Sequence, residues 1–170
     1  ATESSRLKEL DNLAADYYNS FTIEVSRMEP EKAAAWLDKR VELDPERFDW
    51  LIEAGKYYKT YLGRNDQALQ YFDRAYSIAK KSGIPSLQII VLNEIGGVHT
   101  NLHETEKASE CYNEVIRLAE KDREQFFQAI ASAYNNLGLV ESISGNSDEA
   151  LKYYEKSLKT VPDTLLSSAV

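Results

Sequence analysis

Small residues return at matching places in this chain, and they restrict its fold more than any other feature. Gly55, Gly96 and Gly138 each sit inside a helical apolar pattern. Ala68, Ala108 and Ala150 follow on a second pattern. In the clearest copy, Tyr134, Leu137 and Gly138 share one helical face, Gly145 makes a turn, and Ala150, Tyr154 and Ser157 share the next face. Glycine and alanine at such points let two helices approach closely, while Tyr58, Phe72, Tyr112, Tyr134 and Tyr154 fill the gaps between them. The chain is therefore expected to be all-α, built from helix pairs.

The rest of the sequence can be measured against that copy. Apolar residues Leu7, Leu10, Ala14, Tyr17, Tyr18, Phe21 and Val25 recur at three- and four-residue steps, which predicts a long helix from about Ser5 to Arg27. Pro30 suits the first turn of the next helix. Asp44-Pro45-Glu46 reads as a further helix start, with an acceptor at the cap. Gly83 and Pro85 punctuate the end of another. Asn65, Thr105 and Ser147 each precede a repeat alanine by three residues and are expected to cap the second helices. Gly55 lies eight residues before Gly63, whereas Gly138 lies seven before Gly145, so one residue is inserted in the first helix of that repeat or in its turn.

The pattern Leu51, Ala54, Gly55, Tyr58, with its counterparts Leu92, Ile95, Gly96, His99 and Tyr134, Leu137, Gly138, resembles the tetratricopeptide repeat. Successive repeat alanines (Ala33, Ala68, Ala108, Ala150) are 35, 40 and 42 residues apart, against 34 in that family's consensus. The longer spacing is similar to the elongated repeats of kinesin light chain, spindle-orientation adaptors and bacterial peptide-sensing regulators. The resemblance implies a right-handed superhelical solenoid of about four antiparallel helix pairs in one domain, 1–170. Its divisions are a divergent repeat at 5–45, repeats at 48–82, 86–122 and 125–162, and the start of a further helix at 163–170.

Composition narrows the function. A net charge of −8 argues against nucleic-acid partners and anionic membranes, both of which reward a basic face. No stretch is apolar and long enough to span a bilayer. The single cysteine, Cys111, cannot form an internal disulfide or a zinc cluster alone, which fits a cytoplasmic protein and leaves a periplasmic one open. His99 and His103 are four residues apart, but His103 aligns with the turn glycine Gly145 and His99 with a packing tyrosine, so no metal pair is expected. With no catalytic constellation, cofactor motif or phosphate-binding loop, the chain reads as a binding protein and not an enzyme. The apolar segment after Pro162-Asp163 is a poor cap. That points to a fragment of a larger protein, or to self-association through the C-terminal end.

In the tetratricopeptide family the first helix of each pair lines a concave surface. The resemblance places Glu53, Lys56 and Thr60 on that surface from one repeat. The next supplies Asn93, Glu94, Gly97, Thr100 and Asn101, and the last Ser132, Asn135, Asn136, Leu139 and Ser142. Asn136 matches the position where family members often grip a peptide backbone through an amide; Glu94 departs from it. A clamp for a C-terminal carboxylate needs several cations here, and only Lys56 is offered. The implied function is a protein- or peptide-binding scaffold. Its alternative is a peptide- or ligand-sensing domain of a bacterial signalling protein or transcription regulator.

Overall fold

The computed structural model describes residues 29–160. Within them the chain forms α1 (Pro30–Leu43), α2 (Phe48–Thr60), α3 (Asn65–Ser82), α4 (Pro85–Asn101), α5 (Thr105–Ala119), α6 (Arg123–Ile143) and α7 (Ser147–Thr160). A short 3₁₀ turn, Glu120–Asp122, joins α5 to α6, and there is no strand among the described residues. The helices expected at 5–27 and 163–170 lie outside the described residues.

Each helix packs on the one before it, and α2 with α3, α4 with α5, and α6 with α7 form the pairs. Successive first helices, α2, α4 and α6, also touch one another, and no equally extensive contact joins the second helices. A stack drawn closer along one side curves toward that side. This is the all-α solenoid that the resemblance implies, built from the helix pairs that the glycine and alanine pattern predicts.

Burial follows the same plan. One apolar cluster runs from α1 to α4 through Leu37, Leu51, Phe72 and Val91; a second runs from α4 to α6 through Ile89, Val115, Ile130 and Leu137. Helix α4 serves both, with Val91, Ile95 and Val98 in one cluster and Ile89 and Leu92 in the other. Its sequence is accordingly apolar on most sides, as expected for a helix enclosed by neighbours. On α7, Leu151 and Leu158 are 60% and 70% exposed. The equivalent Leu69 and Tyr76 of α3 are half-buried in the core beneath the next pair.

The small-residue contacts are as tight as a pair can make them. A Cβ built on Gly55 would stand 2.5 Å from Phe72 Cε1, on Gly96 2.7 Å from Tyr112 Cε1, and on Gly138 2.5 Å from Tyr154 Cε1. Ala68, Ala108 and Ala150 are all buried. Either Gly138→Leu or Ala150→Leu is therefore expected to overpack α6 against α7 and cost about 1–3 kcal/mol. Unchanged thermal unfolding in both variants would contradict the register.

The expected helix starts differ in the structure. Asp44-Pro45-Glu46 is a turn, closed by Arg47 N donating to Asp44 O at 3.2 Å, and α2 begins only at Phe48. Aspartate followed by proline favours such a turn over a helical first turn. Asn65 and Thr105 do not cap their helices. Each is itself the first helical residue, with no side-chain cap bond at the preceding position, and α7 likewise starts at Ser147. Backbone bonds of the preceding turns set the entry into these helices instead.

Those turns show where the inserted residue lies. Glu104 N donates to His99 O and Asn146 N to Glu141 O, five residues back in each case and both at 2.9 Å. In the earlier repeat Arg64 N reaches Tyr58 O, six back, also at 2.9 Å. The acceptors Tyr58, His99 and Glu141 each lie three residues after their glycine. The extra residue thus belongs to the turn at 61–63, and the register of α2 is undisturbed. Gly63, His103 and Gly145 occupy matching left-handed positions, with φ of 62°, 58° and 83°. His103 pays for its Cβ there. His103→Gly should raise stability by about 1 kcal/mol in denaturant titrations, and a loss would contradict this account of the turn.

Candidate functional site

The contacts between α2, α4 and α6 bring one side of each first helix onto a shared face. Two residues before each glycine stand Glu53, Glu94 and Asn136, all half-buried; one residue after it stand Lys56, Gly97 and Leu139. Glu53 and Glu94 reach toward the preceding helix, whereas Lys56 and Leu139 are exposed and Gly97 is half-buried. Thr60, Asn101, Ser132, Asn135 and Ser142 are exposed along the same helices.

Both acids on this face are already engaged. Glu94 reaches back to α2, where Lys59 Nζ donates to its Oε2 and Lys56 Nζ lies 3.7 Å from its Oε1. Glu53 accepts from Arg40 Nη1 of α1 at 2.7 Å. Arg40 in turn stacks over Trp50, 4.5 Å from the ring centroid, and over Trp36 at 5.7 Å. Burial raises the Glu53 pKa above the usual carboxylate value, and the Arg40 charge and hydrogen bond only partly offset it. Neither acid is left as a free acceptor for a ligand.

Thr100 is a correction. It is buried, donating from Oγ1 to Gly96 O at 2.9 Å, with Tyr112 Oη 3.3 Å away, and so belongs to the α4–α5 contact. Glycine at position 96 lets Tyr112 come close enough to draw that hydroxyl inward. Asn93 is half-buried, and its Oδ1 is enclosed without a hydrogen-bond partner. His99 is half-buried and donates from Nδ1 to Glu104 Oε2 at 2.6 Å, tying the end of α4 to the turn that follows. Among the described residues no group of three or more histidine, cysteine or acidic side chains is arranged to hold a metal. No described helix is long and apolar enough to cross a membrane. Burial raises the Cys111 thiol to about 11, far from the range of a reactive thiolate.

Neither Lys59 nor Arg40 is legible from spacing alone as a contributor to this face. Lys59 lies four residues after Gly55, the offset of buried Thr100, and only the length of its side chain carries the charge across to α4.

Comparison with known proteins agrees with this architecture. A family model described as tetratricopeptide repeat matches residues 50–121 and 87–163. The chain is 28% identical over 159 residues to response regulator aspartate phosphatase E of Bacillus subtilis (strain 168), a match covering 89% of this chain and 42% of that protein. The chain thus spans about two-fifths of that relative. The crystal structure of BtubC (BKLC) from P. vanneervenii superposes with a TM-score of 0.69 at 12% identity, over 83% of this chain and 59% of that one. From the matched repeats and the glycine-centred pairs together, the chain belongs to the tetratricopeptide repeat family.

Proposed function

We propose that the chain is a protein-binding unit that holds an extended polypeptide across the face formed by α2, α4 and α6. The observation that carries this is the side-by-side packing of those three helices. It aligns exposed polar and apolar groups (Lys56, Thr60, Asn101, Asn135, Leu139) on one surface while the pair contacts stay buried elsewhere. Half-buried Asn136 offers both a donor and an acceptor to a peptide backbone. A photo-crosslinking residue placed at Leu139 is expected to trap a polypeptide in cells, and the same residue at Lys107 on α5 is not. Equal trapping at both positions would defeat the proposal.

The match to the Bacillus subtilis protein favours a second reading, in which this solenoid is the regulatory part of a longer signalling protein and its partner is a response regulator. Mixing the purified chain with phosphorylated response regulators separates the two. A specific complex supports the signalling role. Binding to unrelated extended peptides without any response-regulator complex supports the general scaffold.

A further inference from the structure

Four glycines lie inside the described helices, and one of them has no packing reason to be there. Gly55, Gly96 and Gly138 each face an aromatic ring that a Cβ would strike. Gly97 does not: the atom nearest to a Cβ there is Lys59 Nζ, at an ordinary 3.6 Å, and its φ is not left-handed. Glycine in a helix interior costs stability relative to alanine. When neither turn geometry nor internal packing requires it, the remaining physical reason is close approach by something outside the helix.

The surroundings indicate the chemistry of that visitor. Gly97 takes the place held by Lys56 on α2 and Leu139 on α6, so it leaves a gap in the middle of the row. Ile90, two turns earlier on the same stripe of α4, and Leu139 on the next first helix are each 44% exposed. On the other side, two lysines, Lys56 and Lys59, share the single carboxylate of Glu94. Lys56 is 57% exposed and is the less closely held of the two, so this edge carries a surplus positive charge in a chain of net charge −8.

We propose that Gly97 is the centre of the binding face, where an extended polypeptide seats a bulky apolar side chain while an acidic residue of the same segment pairs with Lys56. This rests on the first-helix face being the binding face. Neighbouring first helices stand about 8–10 Å apart, so the row from Lys56 to Leu139 covers roughly 20 Å. An extended segment of about six residues spans that distance. The partner is thus a short stretch of polypeptide carrying an acidic and a large apolar residue, recognised over three helices.

A positional-scanning library of ten-residue peptides tests the proposal with three proteins: the unaltered chain, Gly97→Leu and Lys56→Glu. The unaltered chain should select an acidic residue and a large apolar residue at fixed spacing. Gly97→Leu should bind the selected peptide at least about tenfold more weakly, as loss of a central hot-spot contact does, while its thermal unfolding midpoint is unchanged or higher. Lys56→Glu should remove the acidic preference alone. Undiminished binding by Gly97→Leu would overturn the inference and leave the binding face intact, as would selection of basic residues opposite Lys56. No selection of any peptide by the unaltered chain would remove both.

Discussion

Gly55→Ala is expected to lower the thermal unfolding midpoint by several degrees, although it adds a single methyl group to a helix. The new Cβ would sit 2.5, 2.8 and 2.9 Å from three atoms of the Phe72 ring. That ring is fully buried and has nowhere to retreat. Overpacking of this kind costs about 1–3 kcal/mol and occasionally more, and alanine returns only about 1 kcal/mol of helix propensity. A net loss of about 1 kcal/mol corresponds to roughly 2–4 °C in a domain of this size. The adjacent glycines of α4 supply an internal control. Gly96→Ala meets Tyr112 at 2.7 Å and should destabilise, whereas Gly97→Ala meets only the end of a lysine at 3.6 Å and should stabilise by about 0.5–1 kcal/mol. If both variants of α4 moved stability in the same direction, the close contacts would not be what places these glycines. Phe72→Leu combined with Gly55→Ala should recover part of the loss, since the shorter side chain vacates the ring position.

The second large effect is expected at Asp38. Its carboxylate accepts from Tyr58 Oη at 2.8 Å and from Tyr71 Oη at 2.5 Å, so one side chain of α1 fastens both α2 and α3. The two phenol rings stack with centroids 5.7 Å apart. Hydrogen bonds to a charged group contribute about 1.5–3 kcal/mol each, less where water reaches them; Asp38 is only half-buried, so Asp38→Ala should cost about 2–4 kcal/mol. Asp38→Asn should cost less, because the amide oxygen still accepts. The same site makes the fold sensitive to alkali. Burial first, and the Asp38 hydrogen bond next, push Tyr58 up to about 12 and raise Tyr71 well above its ordinary value. The folded chain therefore keeps phenolic protons that the unfolded chain releases near pH 10. Stability that is fully present below about pH 10 is lost as the pH climbs toward about 12. Tyr58→Phe and Tyr71→Phe together should flatten that decline. An equally steep decline in the double variant would contradict the assignment.

Much of the fold was legible in the sequence because its determinants are local and repeated. A glycine with an aromatic some sixteen residues later (Gly55 and Phe72, Gly96 and Tyr112, Gly138 and Tyr154) records a contact that every pair must make. The turn positions Gly63, His103 and Gly145 were visible by alignment, and they share a left-handed backbone. Less was legible where long side chains act across helices. Lys59 engages Glu94 thirty-five residues away, and Asp38 collects two hydroxyls from separate helices. No periodicity marks such partners, since a lysine or aspartate of the same spacing on a solvated face reads alike. Thr100 was misplaced for a related reason. Its equivalents Lys59 and Ser142 keep their polar ends in reach of water or another helix, whereas Thr100 is drawn inward by its bonds to Gly96 and Tyr112.

The proposed function requires the first helices to form one shared binding surface. Its most direct test is an NMR titration of the isotope-labelled chain with a peptide selected by the library. The amides of Lys56, Gly97, Asn136 and Leu139 are expected to shift together with one affinity, and those of the exposed residues Leu151 and Leu158 on α7 to stay in place. Shifts confined to α3, α5 and α7, with α2, α4 and α6 unmoved, would contradict it.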